Sequence, residues 1–145
     1  LPRTDDEAVV SKGKAEAEPR PEASGTILVV EDEPIVSLDI QKMLERLGYA
    51  VAGAASAGED AVRKAGELRP SLVLMDIMMP EMDGYEAIRE IRKKDNLKKI
   101  PIIALTAKAM KGDRSKCIEA GANDYLAKPV DTEKLFSMLR VWLYG

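Results

Sequence analysis

The chain has 145 residues, of which 46% are hydrophobic and 32% charged, and its formal net charge is −3. This length suits one domain with a tail, and the balance of charge gives no indication of nucleic-acid binding. Histidine is absent and Cys117 is the single cysteine, which excludes a Ser-His-Asp triad, a histidine-ligated metal and an internal disulfide.

Residues 1–25 are mostly proline, glutamate, lysine, alanine and serine, with few large apolar side chains. Such a segment cannot bury enough surface to fold alone, so we expect a disordered linker or tail. No apolar run reaches the ~18–20 residues that a membrane-spanning helix needs, and no secretory signal is visible. We therefore expect a cytoplasmic domain without direct membrane contact, although a longer parent protein could be anchored.

From Thr26 onward, short apolar runs alternate with helical segments. The runs are too short for helices and are typical of buried parallel strands. They cover residues 27–30, 50–54, 72–75, 100–105 and 125–127. The helical segments cover residues 34–47, 56–68, 84–94, 112–120 and 132–143.

Local signals mark the helix starts. Pro34 suits a first helical turn, and Ser56 with Glu59 has the spacing of a capping box. Asp83 and Asp131 are placed to cap the third and fifth helices. Five strands alternating with five helices predict an α/β fold, with a five-stranded parallel sheet doubly wound by helices on both faces.

Polar residues follow the predicted strands where those strands end. Strand 2 ends only in alanine and serine, as an outer strand would, and we expect the other four strands inside the sheet. Those four are followed by Glu31-Asp32-Glu33, Asp76, Thr106 and Lys128-Pro129. Because the carboxyl ends of parallel strands meet at one edge, we expect these side chains to converge.

Converging carboxylates would repel one another in a cleft of low dielectric, and a hard divalent cation such as Mg²⁺ relieves that repulsion. Asp76 could then accept a phosphoryl group as an acyl phosphate, with positive charge from Lys128 and a hydroxyl donor from Thr106. Taken singly, each residue also has a structural interpretation. Glu31 and Asp32 could cap a helix, Thr106 could simply end a strand, and Lys128 could be a surface charge.

Four segments, ILVVEDEP, LVLMDIMMPEMDGYEAI, IIALTA and AGANDYLAKPVD, resemble the receiver domain of two-component response regulators over about residues 26–145. The resemblance implies a flavodoxin-like fold and a phosphoacceptor at Asp76 that takes its phosphoryl group from a phosphohistidine. It implies Asp32 as a direct Mg²⁺ ligand, Glu31 as its acidic partner through water, and the backbone carbonyl of Met78 as a further ligand. Glu31 stands where the family more usually has aspartate.

The resemblance also implies a conformational switch. Lys128, before a cis Pro129, would contact the phosphoryl group, and Thr106 and Tyr125 match the family's switch pair. The Thr106 hydroxyl would move toward the phosphoryl group and Tyr125 would turn inward, altering the surface of helix 4, strand 5 and helix 5. Tyr125 as ordinary strand packing remains an alternative.

By resemblance this is a signalling domain and not an enzyme, assisting its own phosphorylation and slow dephosphorylation. Its partner would be a histidine kinase or a histidine phosphotransfer domain, with no nucleic acid and with homodimerisation left open. The tail and the segment AMKGDRSKCIEAGANDYLAKPVD most resemble receivers of hybrid sensor histidine kinases, and a stand-alone regulator is the alternative. A haloacid dehalogenase-type phosphatase would have an acid two residues after its nucleophile, where this chain has Met78.

Two further expectations concern the surroundings of the site. We expect Met78 and Lys108 to restrict attacking water and so to set the lifetime of the phosphoryl group. We expect Ile35 and Val36, in the first turn of the first helix, to help dock the phosphodonor.

Overall fold

The computed structural model describes residues 25–107 and 111–144. Lys108 and all but the last residue of the expected tail lie outside the described residues. The strands are β1 (Thr26–Val30), β2 (Ala50–Ala55), β3 (Leu72–Asp76), β4 (Ile102–Thr106) and β5 (Asp124–Ala127). The helices are α1 (Pro34–Arg46), α2 (Gly58–Leu68), α3 (Gly84–Lys93), α4 (Lys111–Ala120) and α5 (Thr132–Tyr144), with a 3₁₀ turn at Asp95–Leu97.

The strands form one parallel sheet in the order β2-β1-β3-β4-β5. This confirms the predicted α/β class and the outer position of β2. The expectation that β5 lies inside the sheet is wrong, because among the described residues β5 pairs only with β4 and forms the other edge of the sheet. The carboxyl ends of β1, β3, β4 and β5 still meet at one edge, which is the property that the site requires.

Alternate residues of the strands face two separate apolar clusters. One cluster joins Leu28, Val30, Val73, Met75, Ile102 and Ala104 to α2, α3 and α4. The other joins Ile27, Val29, Leu72, Leu74, Ile103 and Leu105 to α1 and α5. Because both faces of the sheet are covered, the central strands are continuous apolar runs without the alternation of a half-exposed strand.

Two of the three predicted helix caps are confirmed. Asp83 Oδ1 accepts the backbone N–H of Glu86 at 2.9 Å, and the Glu86 side chain accepts the N–H of Asp83 at 3.2 Å. Asp131 Oδ1 accepts the N–H of Glu133 at 2.9 Å. The bonds at Asp83 are reciprocal, and both caps satisfy donors that a helix leaves open at its first turn.

The capping box predicted at Ser56 is wrong. Helix α2 begins at Gly58, its N-cap is Ala57, and no side chain caps it. A Cβ at position 58 would lie 2.5 Å from the carbonyl oxygen of Met82. The start of this helix therefore packs tightly against the loop between β3 and α3. Among the described helices, none has the length and apolar character needed to cross a membrane.

Candidate phosphoacceptor and metal site

The residues predicted to converge do so at the carboxyl edge of the sheet. Glu31 follows β1, Asp76 and Thr106 are the last residues of β3 and β4, and Lys128 follows β5. Glu31, Asp76 and Thr106 are 2%, 1% and 5% exposed. Carboxylates are rarely buried to this extent unless they are paired or bind a cation. The burial of Glu31 and Asp76 therefore indicates a functional site at this edge of the sheet.

Three carboxylates lie together at this edge. Glu31, Asp32 and Asp76 each offer one oxygen, and the three oxygens lie within 4.8 Å of one another. The Lys128 Nζ lies 2.9 Å from Glu31 Oε1 and 3.3 Å from Asp76 Oδ1. The peptide bond between Lys128 and Pro129 is cis, as expected.

Burial and the neighbouring Glu31 charge raise the pKa of Asp76 from 3.8 to about 7, although Lys128 acts in the opposite direction. Burial acts to lower the pKa of Lys128, but its hydrogen bond to Glu31 and the charge of Asp76 outweigh that effect, so the pKa of Lys128 is raised. The Lys128 ammonium therefore stays charged, but its single positive charge only partly neutralises the surrounding carboxylates. The site can accommodate a further positive charge.

The two oxygens of Asp76 have different surroundings. Oδ1 accepts hydrogen bonds from the Lys128 ammonium and from the backbone N–H of Met78, the latter at 3.3 Å. Oδ2 is buried and has no hydrogen-bond partner within the described part of the chain. A buried oxygen without a partner is unfavourable, and it is the atom best placed to receive a cation or an electrophile.

Gly84 positions the loop that follows Asp76, a role that the sequence analysis did not assign. Its N–H donates to the Ile77 carbonyl at 2.9 Å. A Cβ at position 84 would lie 2.4 Å from the Asp76 carbonyl oxygen and 2.6 Å from Ile77 Cα. Only glycine lets the start of α3 approach the end of β3 this closely, and the Asp83-Gly84 pair was the available signal.

The proposed switch residues lie on adjacent strands. Thr106 pairs with Ala127 in the β4–β5 ladder, two residues after Tyr125. The Tyr125 ring is half-buried and packs against the cluster that joins the sheet to α2, α3 and α4. The guanidinium carbon of Arg114 lies 5.8 Å from the centroid of that ring, a contact that the sequence did not indicate.

Exposed apolar side chains occur on the segments that follow β1 and β3. Ile35 in the first turn of α1 is 77% exposed, Leu38 on the same helix is 50% exposed, and Met78 is 71% exposed. Val36 is half-buried and packs against the cluster that joins the sheet to α1 and α5. The Ile35 side chain is therefore accessible to a partner, whereas the Val36 side chain belongs partly to the core.

Comparison with known proteins identifies a matching family. The family model described as "Response regulator receiver domain" matches residues 27–140. The chain is 39% identical over 119 residues to Protein PilH of Pseudomonas aeruginosa, covering 82% of this chain and 98% of PilH. It is 39% identical over 114 residues to the signal transduction histidine-protein kinase BarA of Escherichia coli, covering 79% of this chain and 12% of BarA.

A solved structure agrees with this match. The receiver domain of sensor histidine kinase PA1611 from Pseudomonas aeruginosa, with a magnesium ion coordinated in its active site cleft, superposes with a TM-score of 0.78 at 46% identity. The similarity covers 84% of this chain and 99% of that one. The chain spans only about half the length of two transcriptional regulators that it matches at 40% identity.

Proposed function

The chain belongs to the response regulator receiver domain family, and we propose that residues 26–145 form a receiver that takes a phosphoryl group from a phosphohistidine onto Asp76. Residues 1–25 would be a linker or tail. The observation that carries the assignment is the buried Asp76 carboxylate, whose Oδ2 has no partner among the described residues while two acids and Lys128 surround it.

The donor set fits Mg²⁺, which prefers hard oxygen ligands and uses few carboxylates. We propose that Asp32 and Asp76 hold the ion directly, that Glu31 does so through water, and that the Met78 carbonyl completes the protein ligands. When bound, the ion neutralises charge on the carboxylates and on phosphoryl oxygens. The magnesium ion in the cleft of the similar PA1611 receiver supports this proposal.

In the transfer that we propose, an oxygen of Asp76 attacks phosphorus as the P–N bond of the phosphohistidine breaks, and the bonding electrons return to the imidazole. Oδ2 suits the attack because Oδ1 already accepts two hydrogen bonds. The Lys128 ammonium, held by Glu31 at 2.9 Å, would contact a phosphoryl oxygen. The Thr106 hydroxyl would donate to another, and Tyr125 would respond by turning inward.

The test is incubation with Mg²⁺ and acetyl phosphate, followed by intact-mass measurement. The wild type should gain the mass of one phosphoryl group, and Asp76→Asn should gain none. Asp39→Asn is a matched control, because Asp39 is an exposed acid on α1 and its replacement should leave the gain intact. Phosphorylation of Asp76→Asn to the wild-type level would refute the assignment.

The physiological donor would be a histidine kinase or a histidine phosphotransfer domain. Its apolar surface would meet the exposed side chains of Ile35, Leu38 and Met78 around the acidic pocket. Ile35→Ser should therefore slow transfer from a phosphohistidine protein while leaving phosphorylation by acetyl phosphate unchanged. Equal slowing with both donors would argue against a docking role for Ile35.

The relatives support two versions of the parent protein. The similarity to the PA1611 receiver and to BarA favours the receiver of a hybrid histidine kinase. PilH, of which the match covers 98%, supports a stand-alone regulator equally well. The sequence of the full gene distinguishes the two versions.

A further inference from the structure

A cationic side chain of α4 lies over the aromatic ring of β5. The Arg114 guanidinium carbon is 5.8 Å from the centroid of the Tyr125 ring, within the ~6 Å range of cation–π attraction. Arg114 itself is exposed. Both residues line an open cavity of about 340 Å³ whose other walls are the rest of β5 and the start of α5.

The Tyr125 ring therefore has two sets of neighbours. On one side it packs against the buried cluster between the sheet and α2, α3 and α4, and on the other it meets a guanidinium at the surface. A ring that turned inward toward the end of β4 would leave this guanidinium. The contact therefore belongs to one of the two arrangements that the proposed switch requires, and it stabilises that arrangement selectively.

We propose that Arg114 is a positioning residue, which holds the Tyr125 ring in the unphosphorylated arrangement and so sets how readily the domain switches. This inference rests on the proposed function, because it treats Tyr125 as the switch residue. An exposed cation–π contact corresponds to a roughly two- to five-fold shift in a two-state equilibrium. By linkage, a contact present only in the resting state weakens the binding of anything that favours the switched state by the same factor.

An intrinsic fluorophore, Trp142, lies close to Tyr125 in the structure. Trp142 is the single tryptophan, and its Nε1–H donates to Asp124 Oδ2 at 3.1 Å. The other oxygen of Asp124 accepts the backbone N–H of Tyr125 at 2.9 Å. Trp142 is thus linked through Asp124 to the backbone of Tyr125, and a shift of β5 that accompanies turning of the ring should alter its fluorescence without any label.

The experiment titrates beryllium fluoride, a noncovalent mimic of a phosphoryl group, in the presence of Mg²⁺ by isothermal titration calorimetry, which gives the Kd of every variant, and Trp142 fluorescence is followed alongside. Arg114→Ala should lower the apparent Kd roughly two- to five-fold, and Arg114→Lys, which keeps the charge without the planar group, should fall between Arg114→Ala and wild type. Arg140→Ala is the matched control. Arg140 is also exposed and its guanidinium carbon lies 5.6 Å from the Phe136 ring on α5, so its loss should leave the Kd unchanged.

A double-mutant cycle separates positioning from general stability. In a Tyr125→Leu background the ring is gone, so Arg114→Ala should no longer change the Kd. If Arg114 only supported the fold, its replacement would lower the melting temperature without tightening binding of the mimic. The melting temperatures of all variants are measured alongside.

A wild type that binds the mimic, with an Arg114→Ala Kd that is unchanged or higher, overturns the inference and leaves the proposed function standing. An equal Arg114 effect with and without the Tyr125 ring overturns it as well. A wild type that neither responds to beryllium fluoride nor gains a phosphoryl group on Asp76 overturns both proposals.

Discussion

The Lys128 ammonium lies 2.9 Å from Glu31 Oε1, although the two residues are 97 positions apart in the chain. Glu31 is 2% exposed, and the same ammonium lies 3.3 Å from Asp76 Oδ1. Glu31 therefore has two roles. It holds the Lys128 ammonium close to Asp76, and its charge helps to raise the pKa of Asp76.

Replacing Lys128 with methionine should destabilise the metal-free protein at neutral pH. Buried Glu31 would then lose the cation that it contacts, and removal of one partner of a buried ion pair costs about 3–5 kcal/mol. We expect the lower part of that range because Lys128 is partly exposed. Urea unfolding measures the change, and phosphorylation by acetyl phosphate should slow in the same variant.

Lys93→Met is the control for this substitution. Lys93 and Glu90 form an exposed ion pair at 2.9 Å, and such pairs contribute about 0–1 kcal/mol. Equal losses of stability in the two lysine variants would show that Lys128 has no special electrostatic role.

The pH dependence of stability should report the buried Asp76. Its folded-state pKa is raised from 3.8 to about 7, so the folded state binds the proton more tightly than the unfolded state. The associated stability is therefore present below about pH 4 and is lost as the pH rises toward 7. In Asp76→Asn this loss should disappear, making the metal-free variant more stable than wild type at pH 8 by roughly 2–4 kcal/mol.

Chemical denaturation at pH 4 and at pH 8 checks this sign. The two proteins should be similar at the lower pH, and Mg²⁺ should reduce the difference at the higher pH by stabilising only the wild type. A wild type more stable than Asp76→Asn at pH 8 without metal would contradict the expected electrostatic strain.

The elements and most site residues were predictable because each leaves a local signal. Asp76 and Thr106 end continuous apolar runs, and the parallel topology that those runs imply brings their ends to one edge. The helix start at Gly58 and the contact of Arg114 with Tyr125 were missed for the opposite reason. Both depend on packing between segments distant in sequence, which overrides local capping signals such as Ser56 and has no periodic pattern.

Gly84→Ala should disturb both the fold and the position of Asp76, the proposed phosphoacceptor. The added Cβ would lie 2.4 Å from the Asp76 carbonyl oxygen, a backbone atom held in a central strand that cannot move aside. Overpacking of this kind costs about 1–3 kcal/mol, and displacement of Asp76 should also slow phosphorylation. Thermal unfolding and the acetyl phosphate assay measure the two effects.

Gly66→Ala provides the comparison for Gly84→Ala. Gly66 lies within α2, and a Cβ there would meet nothing within 4 Å. Alanine in an open helical position should stabilise the protein by roughly 0.5–1 kcal/mol. If both alanine variants proved equally stable, the close approach of α3 to β3 would not be required.

The lifetime of the phosphoryl group should depend on Met78. The Met78 side chain is 71% exposed, and the backbone N–H of Met78 donates to Asp76 Oδ1 at 3.3 Å, so we expect the side chain to border the path of water to the phosphoryl group. Met78→Ala should change stability by less than about 0.5 kcal/mol. It should speed dephosphorylation roughly three- to ten-fold, or about 0.6–1.4 kcal/mol in activation free energy.

Loss of phosphoryl mass after removal of acetyl phosphate measures the rate. Ile118→Ala is the matched control, because Ile118 is 46% exposed but lies near the carboxyl end of α4, away from the carboxyl edge of the sheet. Lys108, the other residue expected to restrict water, lies outside the described residues and is tested only by substitution. A rate unchanged after joint replacement of Met78 and Lys108 would remove both from control of the lifetime, leaving it to the buried groups around Asp76.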